Sequence, residues 1–332
     1  MSNNRTPLEN FLHHYDDADW NGVLQELLPA IHPVDANATQ IWFKFWPYDL
    51  LSALDNAPDR ALLEKRLLLQ GKFYLKDQID TSHVFLYGHR YWPQVKAAIA
   101  AYHEQATGSL AHLIRSVAAQ VAKAAQEEDS LLVGITAVGF MTLQHVGLAA
   151  FKATPGLVAK QHFSLNSPGR VIRERAQDDS QGLLGFLRTV DKQWTVRYDE
   201  NAASGCFKLM HEEELASGAA RDQSQDWVAL DARRGEGPIP VECRSAACGT
   251  CWVGILGGAE KLSPVAELEG RRVKLFGYTD TDDAQPLIRL ACMARARGAV
   301  SLVIPPWNGV YAKYMRQLKS GAILEEETAA AT

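Results

Sequence analysis

Between residues 7 and 151 the apolar positions recur at helical spacing. The runs VLQELLPAI, APDRALLEKRLLLQGKFYL, YWPQVKAAIAAYHEQA and LAHLIRSVAAQVAKAAQEE carry this pattern, with Ala, Leu, Glu, Lys and Gln filling the remaining positions. Breakers at His32-Pro33, Ala57-Pro58 and Gly108-Ser109 fall mainly between the runs, so the spacing predicts a helical bundle with short connections. No repeat of fixed period is present. The stretch Leu131 to Phe151, LLVGITAVGFMTLQHVGLAAF, is uncharged and long enough to span a bilayer. It contains Gln144 and His145, however, and the acidic EEDS precedes it where a basic or aromatic belt would be expected. A buried central helix is favoured over membrane insertion, with Gly134 and Gly139 allowing close helix approach in either setting.

From Gln193 the pattern shifts to short runs of period two: QWTVRYD, then CWVGIL, then AVSLVIPP. Two helix signals lie among them, SQDWVALDARRG and SPVAELEGRRVKLFGY, the second opening with Ser263 as cap and Pro264 in the first turn. Strands and helices in this order describe an α+β unit. The intervening stretch carries ATPG, NSPGR and RERAQDDSQ, which suits a linker. The expected organisation is an all-α helical domain over 1–151, a crossover over 152–192, and an α+β domain over 193–320. The last includes a helical signal in WNGVYAKYMRQLK.

The 332 residues exceed one ordinary hydrophobic core, which agrees with two domains. Hydrophobic residues at 47% and charged residues at 22% describe a globular chain, and a formal net charge of -5 excludes the basic footprint of a nucleic-acid binder. The N-terminal MSNNRTPLENFLHHYDD has no basic region followed by an apolar stretch, so the expected location is cytoplasmic.

Five cysteines suit no disulfide framework. Cys206, in SGCFKLM, reads as a partly buried small side chain. The other four carry the chemistry. In VECRSAACGTC, Cys243, Cys248 and Cys251 have the C-x4-C-x2-C spacing that wraps three thiolates around one iron–sulfur cluster, and Cys292 in RLACMARARG is the sensible fourth ligand. Ser245, Ala246, Ala247, Gly249 and Thr250 are small, as a loop must be when its amides turn inward toward charged sulfurs. A structural zinc site would use two short paired-cysteine knuckles, and four unrelated buried cysteines would not need so small a loop. The reading is one [2Fe-2S] cluster.

On these motifs, residues 193 to 306 resemble the plant-type [2Fe-2S] ferredoxin family. The likeness runs through WVALDARRGEGPIPVECRSAACGTC, CWVGIL, KLSPV and PLIRLACMARARGAVSLVIPP. It implies a β-grasp fold, a mixed sheet wrapped over a helix with the cluster in an exposed loop. It also implies one-electron transfer between protein partners. The stretch between Cys251 and Cys292, with the acidic TDTDD, is longer than in simple ferredoxins, and CFKLMHEEELASGAARD is atypical. Arg244, Arg289, Arg295 and Arg297 lie near ligands in sequence. Nearby positive charge stabilises the reduced cluster, so a potential above about -400 mV is expected; the alternative is that these arginines form solvated pairs with Glu242 and its neighbours.

Nothing else supplies a second redox group: there is no G-x-G-x-x-G after a strand, no P-loop, no C-x-x-C-H and no pair of Glu-x-x-His motifs. His83, His89, His103 and His112 read as surface or satisfied core residues. Trp42, Phe43, Phe45, Trp46, Tyr48, Tyr87, Tyr91 and Trp92 read as packing between helices. The function expected is that of a shuttle or electron-transfer subunit for a partner oxidoreductase. Two alternatives stand beside it: a helical domain that holds an active site fed by the ferredoxin domain, and a cluster serving as a structural or sensing device.

Overall fold

The computed structural model describes residues 5–102, 108–158, 166–179, 192–200, 204–276 and 283–310. Helices α1 (Pro7–Leu12), α2 (Asp17–Leu27), α3 (Pro33–Phe45), α4 (Tyr48–Asn56) and α5 (Arg60–Arg66) come first, followed by the short strand β1 (Gln70–Gly71). Then come α6 (Trp92–Ala100), α7 (Leu110–Ala125), α8 (Ser130–Ala153) and α9 (Pro168–Ala176). The remainder is β2 (Gln193–Arg197), β3 (Cys206–Met210), β4 (Glu213–Glu214), α10 (Leu215–Ala220), α11 (Trp227–Leu230) and β5 (Trp252–Gly257). It closes with α12 (Glu267–Phe276), β6 (Ile288–Leu290), β7 (Arg295–Ala296), β8 (Val300–Val303) and β9 (Trp307–Asn308). The layout is α+β, helical toward the N-terminus with a mixed sheet toward the C-terminus.

The chain divides into two compact units. One comprises Met1–Asn56, Tyr74–Glu174 and Asp199–Ser204; the other comprises Ala57–Phe73, Arg175–Tyr198 and Gly205–Thr332. Residues 57–73, helical in the sequence reading, thus belong with the sheet. Their apolar run is helical only through α5: Leu68 turns left-handed (φ 53) and the chain then extends into β1. Within the stretch read as linker, α9 forms at Pro168–Ala176. Residues 311–320 lie outside the described residues.

The helical unit is built around α8, which packs against α1, α2, α3, α4, α6 and α7. Helix α7 shows why: Ser109 caps it by accepting the His112 N–H, and Leu110, Leu113, Ile114, Val117 and Val121 form one buried stripe. A Cβ on Gly134 would lie 2.4 Å from Thr39 Oγ1, and one on Gly139 2.5 Å from Ile99 Cδ1, so both glycines permit the close approach of α8 to its neighbours. Helix α8 breaks at Gly147 (φ 78) and restarts, the new turn capped by Glu9, whose carboxylate accepts the Leu148 N–H at 2.8 Å. Of the described helices α8 alone is long and apolar enough to cross a membrane, and 72% of its most apolar window is already covered by protein.

The aromatic residues of α3 and α6 are core: Trp42, Phe45 and Trp92 have no exposed surface. His83 and His89 are also fully buried, joined Nδ1 to Nδ1 at 2.9 Å. The His83 Nε2–H donates to Ile79 O, so His83 accepts at Nδ1 and the His89 Nδ1–H donates. Nearby Asp80 accepts from Trp92 Nε1 and from the Gly156 N–H, and Lys96 stands 3.6 Å from it. His112 is exposed, and His103 lies outside the described residues.

The second unit holds a five-stranded sheet in the order β3-β2-β8-β5-β6. Strands β2 and β8 run parallel, with Val196 opposite Val300, and every other pairing is antiparallel. Helix α10 packs on β3, where Gly218 lies against Leu209 and Phe207. This is the β-grasp arrangement. Two helix expectations change. Helix α11 has only four residues, and α12 starts at Glu267 rather than after a Ser263 cap. Ser263 is extended, because its N–H donates to Arg295 O and its Oγ accepts the Arg295 N–H. Cys206 is exposed rather than partly buried, since it opens β3 on the solvent side of the alternation.

Burial lowers His89 from an ordinary value of 6.5 to about 4, and burial together with the neighbouring His89 holds His83 well below 6.5. A histidine held neutral when folded takes up a proton more readily when unfolded, so its stabilising contribution is full above pH 6.5 and is lost as pH falls toward 4. Urea unfolding of the full chain is expected to show stability falling in that window by about 1.4 kcal/mol per unit for each such histidine. Replacing both with leucine reduces the slope to the share of His145, which burial lowers to about 3, and a flat wild-type profile would contradict the assignment.

Candidate metal centre

The four cysteines named from the sequence come together from three elements. Cys243 and Cys248 sit in the loop after α11, Cys251 immediately precedes β5, and Cys292 follows β6. The β5–β6 register fixes the last two: Trp252 pairs with Leu290, and the Ala291 N–H donates to Cys251 O at 2.9 Å. None of the four is tied in a disulfide; Cys251 and Cys292 are buried, Cys243 and Cys248 half-buried.

The sulfurs stand as two pairs. Cys248 hydrogen-bonds to Cys243, and Cys251 to Cys292. The pairs also feel each other's charge, Cys251 through Cys248 and Cys292 through Cys243. A tetrahedral zinc site needs all four sulfurs around one ion, whereas a binuclear cluster takes two per iron.

Backbone amides surround the sulfurs. The N–H groups of Ser245, Ala247 and Cys248 lie 3.5, 3.3 and 3.4 Å from Cys243 Sγ, and that of Thr250 lies 3.5 Å from Cys248 Sγ. The Ala246 backbone hydrogen-bonds to Cys292. Such donors favour thiolate over thiol. Burial works to raise the Cys243 thiol, yet the bonds from Ser245 and Cys248 win and bring it down to about 6. In the buried pair the Cys251 S–H lowers Cys292, while Cys251 is pushed up by that same bond and by burial, so the first proton leaves Cys292. The donor set fits a thiolate-ligated cluster.

Turning so many amides inward needs unusual backbone. Arg244 (φ 49), Ala246 (φ 57) and Gly249 (φ 75) are all left-handed. At Gly249 a Cβ would also lie 2.7 Å from the Phe276 ring, so glycine is required twice over. Phe276 ends α12, and α12 is anchored by a buried ion pair that sequence reasoning missed. Arg289 Nε and Nη2 donate to the two Glu269 oxygens at 2.8 and 2.9 Å, while Arg289 Nη1 donates to Ser263 O and Glu269 Oε1 accepts the Leu290 N–H. The signal that would have revealed it is a glutamate on the buried face of α12, two residues after its start.

The other arginines near the ligands are paired as well: Arg244 with Glu236, Arg295 with Glu214, and Arg297 with Glu212. Each positive charge thus has a local counter-charge. The expectation of a raised potential loses its basis, and the partners are these glutamates rather than Glu242.

Residues 219–297 match the family model of the 2Fe-2S iron-sulfur cluster binding domain. The chain therefore carries a 2Fe-2S ferredoxin-type domain in its C-terminal part, a class whose work is electron transfer. No curated protein and no solved structure matches the chain.

Removing one partner of the Glu269–Arg289 pair strands a buried charge, so Glu269→Leu and Arg289→Leu are each expected to destabilise the protein by about 3–5 kcal/mol in urea unfolding. The double variant recovers most of the loss. Single variants with unchanged midpoints would show that the pair does not hold α12.

Proposed function

We propose that the chain is a one-electron carrier holding a single plant-type [2Fe-2S] cluster, with Cys243 and Cys248 on one iron and Cys251 and Cys292 on the other. The observation that carries this is the pairing of the four sulfurs two by two inside a shell of backbone amides. When bound, such a cluster accepts and returns one electron at a time. The protein's own groups do the rest. Amides of Ser245, Ala247 and Thr250 offset the negative charge that reduction adds. Buried Cys251 and Cys292 exclude water from the sheet side, while exposed Ser245 and Ala247 leave the loop side open to a redox partner protein.

The helical unit is read as the part that fixes the carrier to its partner oxidoreductase, making the chain a dedicated shuttle or an electron-transfer subunit. The working location is cytoplasmic, with the apolar α8 serving as a core helix. Its covered surface supports that assignment.

Spectroelectrochemical titration of the anaerobic full chain tests the reading. A single reversible one-electron step near -400 mV is expected, since the neighbouring arginines are neutralised by their partners. Cys292→Ser is expected to abolish that step. The absence of any reversible step in the wild-type chain would sink the carrier, and a step far above that value would sink the charge argument.

A further inference from the structure

We propose that residues 57–73 form a strap that belongs to the cluster-holding apparatus, fixing Trp307 and, through it, Trp252 beside Cys251. The inference rests on the cluster assignment above and adds a structural part from the sequence of the helical region. The chain on either side of the strap, up to Asn56 and from Tyr74, belongs to the helical unit; the strap itself belongs to the sheet unit.

The strap grips the segment after β8 at successive points. The Val310 N–H donates to Leu67 O and the Lys72 N–H to Pro306 O, both at 2.8 Å, and between them Gln70 pairs with Asn308 and Gly71 with Trp307. Leu63 and Leu67 anchor it from beneath, 6% and 1% exposed. The fit leaves no room at either glycine. At Gly71 (φ +86) a Cβ would meet Pro306 O at 2.5 Å and Arg233 Nε at 2.8 Å, and at Gly309 it would meet Leu69 Cδ2 at 2.5 Å. Arg233 adds a second clamp, pairing with Asp231 and donating to Pro305 O. The turn into the strap is costly. Leu68 is left-handed and 61% exposed, a conformation that persists in a leucine only where the surroundings impose it.

What the strap holds leads straight to the metal centre. The carbonyl of Trp307 accepts the Trp252 Nε1–H at 3.1 Å, and the two rings meet edge-on with centroids 5.4 Å apart. Trp252, with no exposed surface, opens β5 directly after Cys251. Strap, Trp307, Trp252 and Cys251 thus form one continuous chain of backbone pairing, hydrogen bond and peptide bond. Loosening the strap loosens the wall behind the buried sulfur pair, where chelators and water would otherwise be excluded.

The test uses the full chain with its cluster, purified anaerobically, and follows loss of visible absorbance under an iron chelator. Gly71→Ala and Trp252→Phe are each expected to speed loss about fivefold or more, with far-ultraviolet helicity unchanged. The double variant is expected to lose its cluster no faster than the quicker single, because both changes break the same link. Should Gly71→Ala reduce the yield of folded protein, Leu67→Ala carries the strap arm. Single-variant rates equal to wild type, or effects that multiply in the double, would overturn the strap while leaving the cluster assignment intact. A wild-type chain that holds no cluster would overturn both.

Discussion

The antiparallel register of β5 and β6 is the constraint on which the metal centre depends. Trp252 opposite Leu290 puts Cys251 beside Ala291, so that two cysteines far apart in sequence meet as a buried sulfur pair. A slip of one residue would send both side chains to the opposite face of the sheet. The register is held from both sides: β5 is an interior strand, paired also with β8, and β6 is pinned to α12 through the bidentate Glu269–Arg289 pair and the Leu290 amide.

The loop before β5 solves a different problem. Its amides must turn inward toward the sulfurs, which calls for left-handed backbone at three positions. Only Gly249 among them lacks a Cβ; at Arg244 and Ala246 the strain is offset by contacts made elsewhere. Arg244 pairs with Glu236, and Ala246 is buried with its backbone hydrogen-bonded to Cys292. Small side chains at 245–250 matter less for flexibility than for letting this inward turn pack beneath Phe276.

The 2Fe-2S domain and the mixed sheet were legible because both write themselves locally, one as a fixed cysteine spacing and the other as period-two runs. The helical character of the first part followed equally from its apolar spacing, as the buried stripe of α7 shows. What stayed hidden depends on long-range partners. Nothing near Arg289 in sequence points to Glu269, so its charge read as free when it is spent in the core. The run through Leu67–Leu69 has a strong helical pattern, yet the Val310 N–H takes the Leu67 carbonyl and β9 pairs with Gln70–Gly71 just beyond, ending the helix early. Ser263 likewise offers good cap chemistry that the Arg295 backbone takes instead. Tertiary hydrogen bonds overrode local preference in each case.

The central claim is that these four sulfurs hold one binuclear cluster. Iron and acid-labile sulfide analysis of the anaerobically purified full chain, with electron paramagnetic resonance after dithionite reduction, tests it most directly. The account predicts about two irons and two sulfides per chain and one rhombic half-spin signal. Zinc in place of iron, or iron without sulfide, would contradict it.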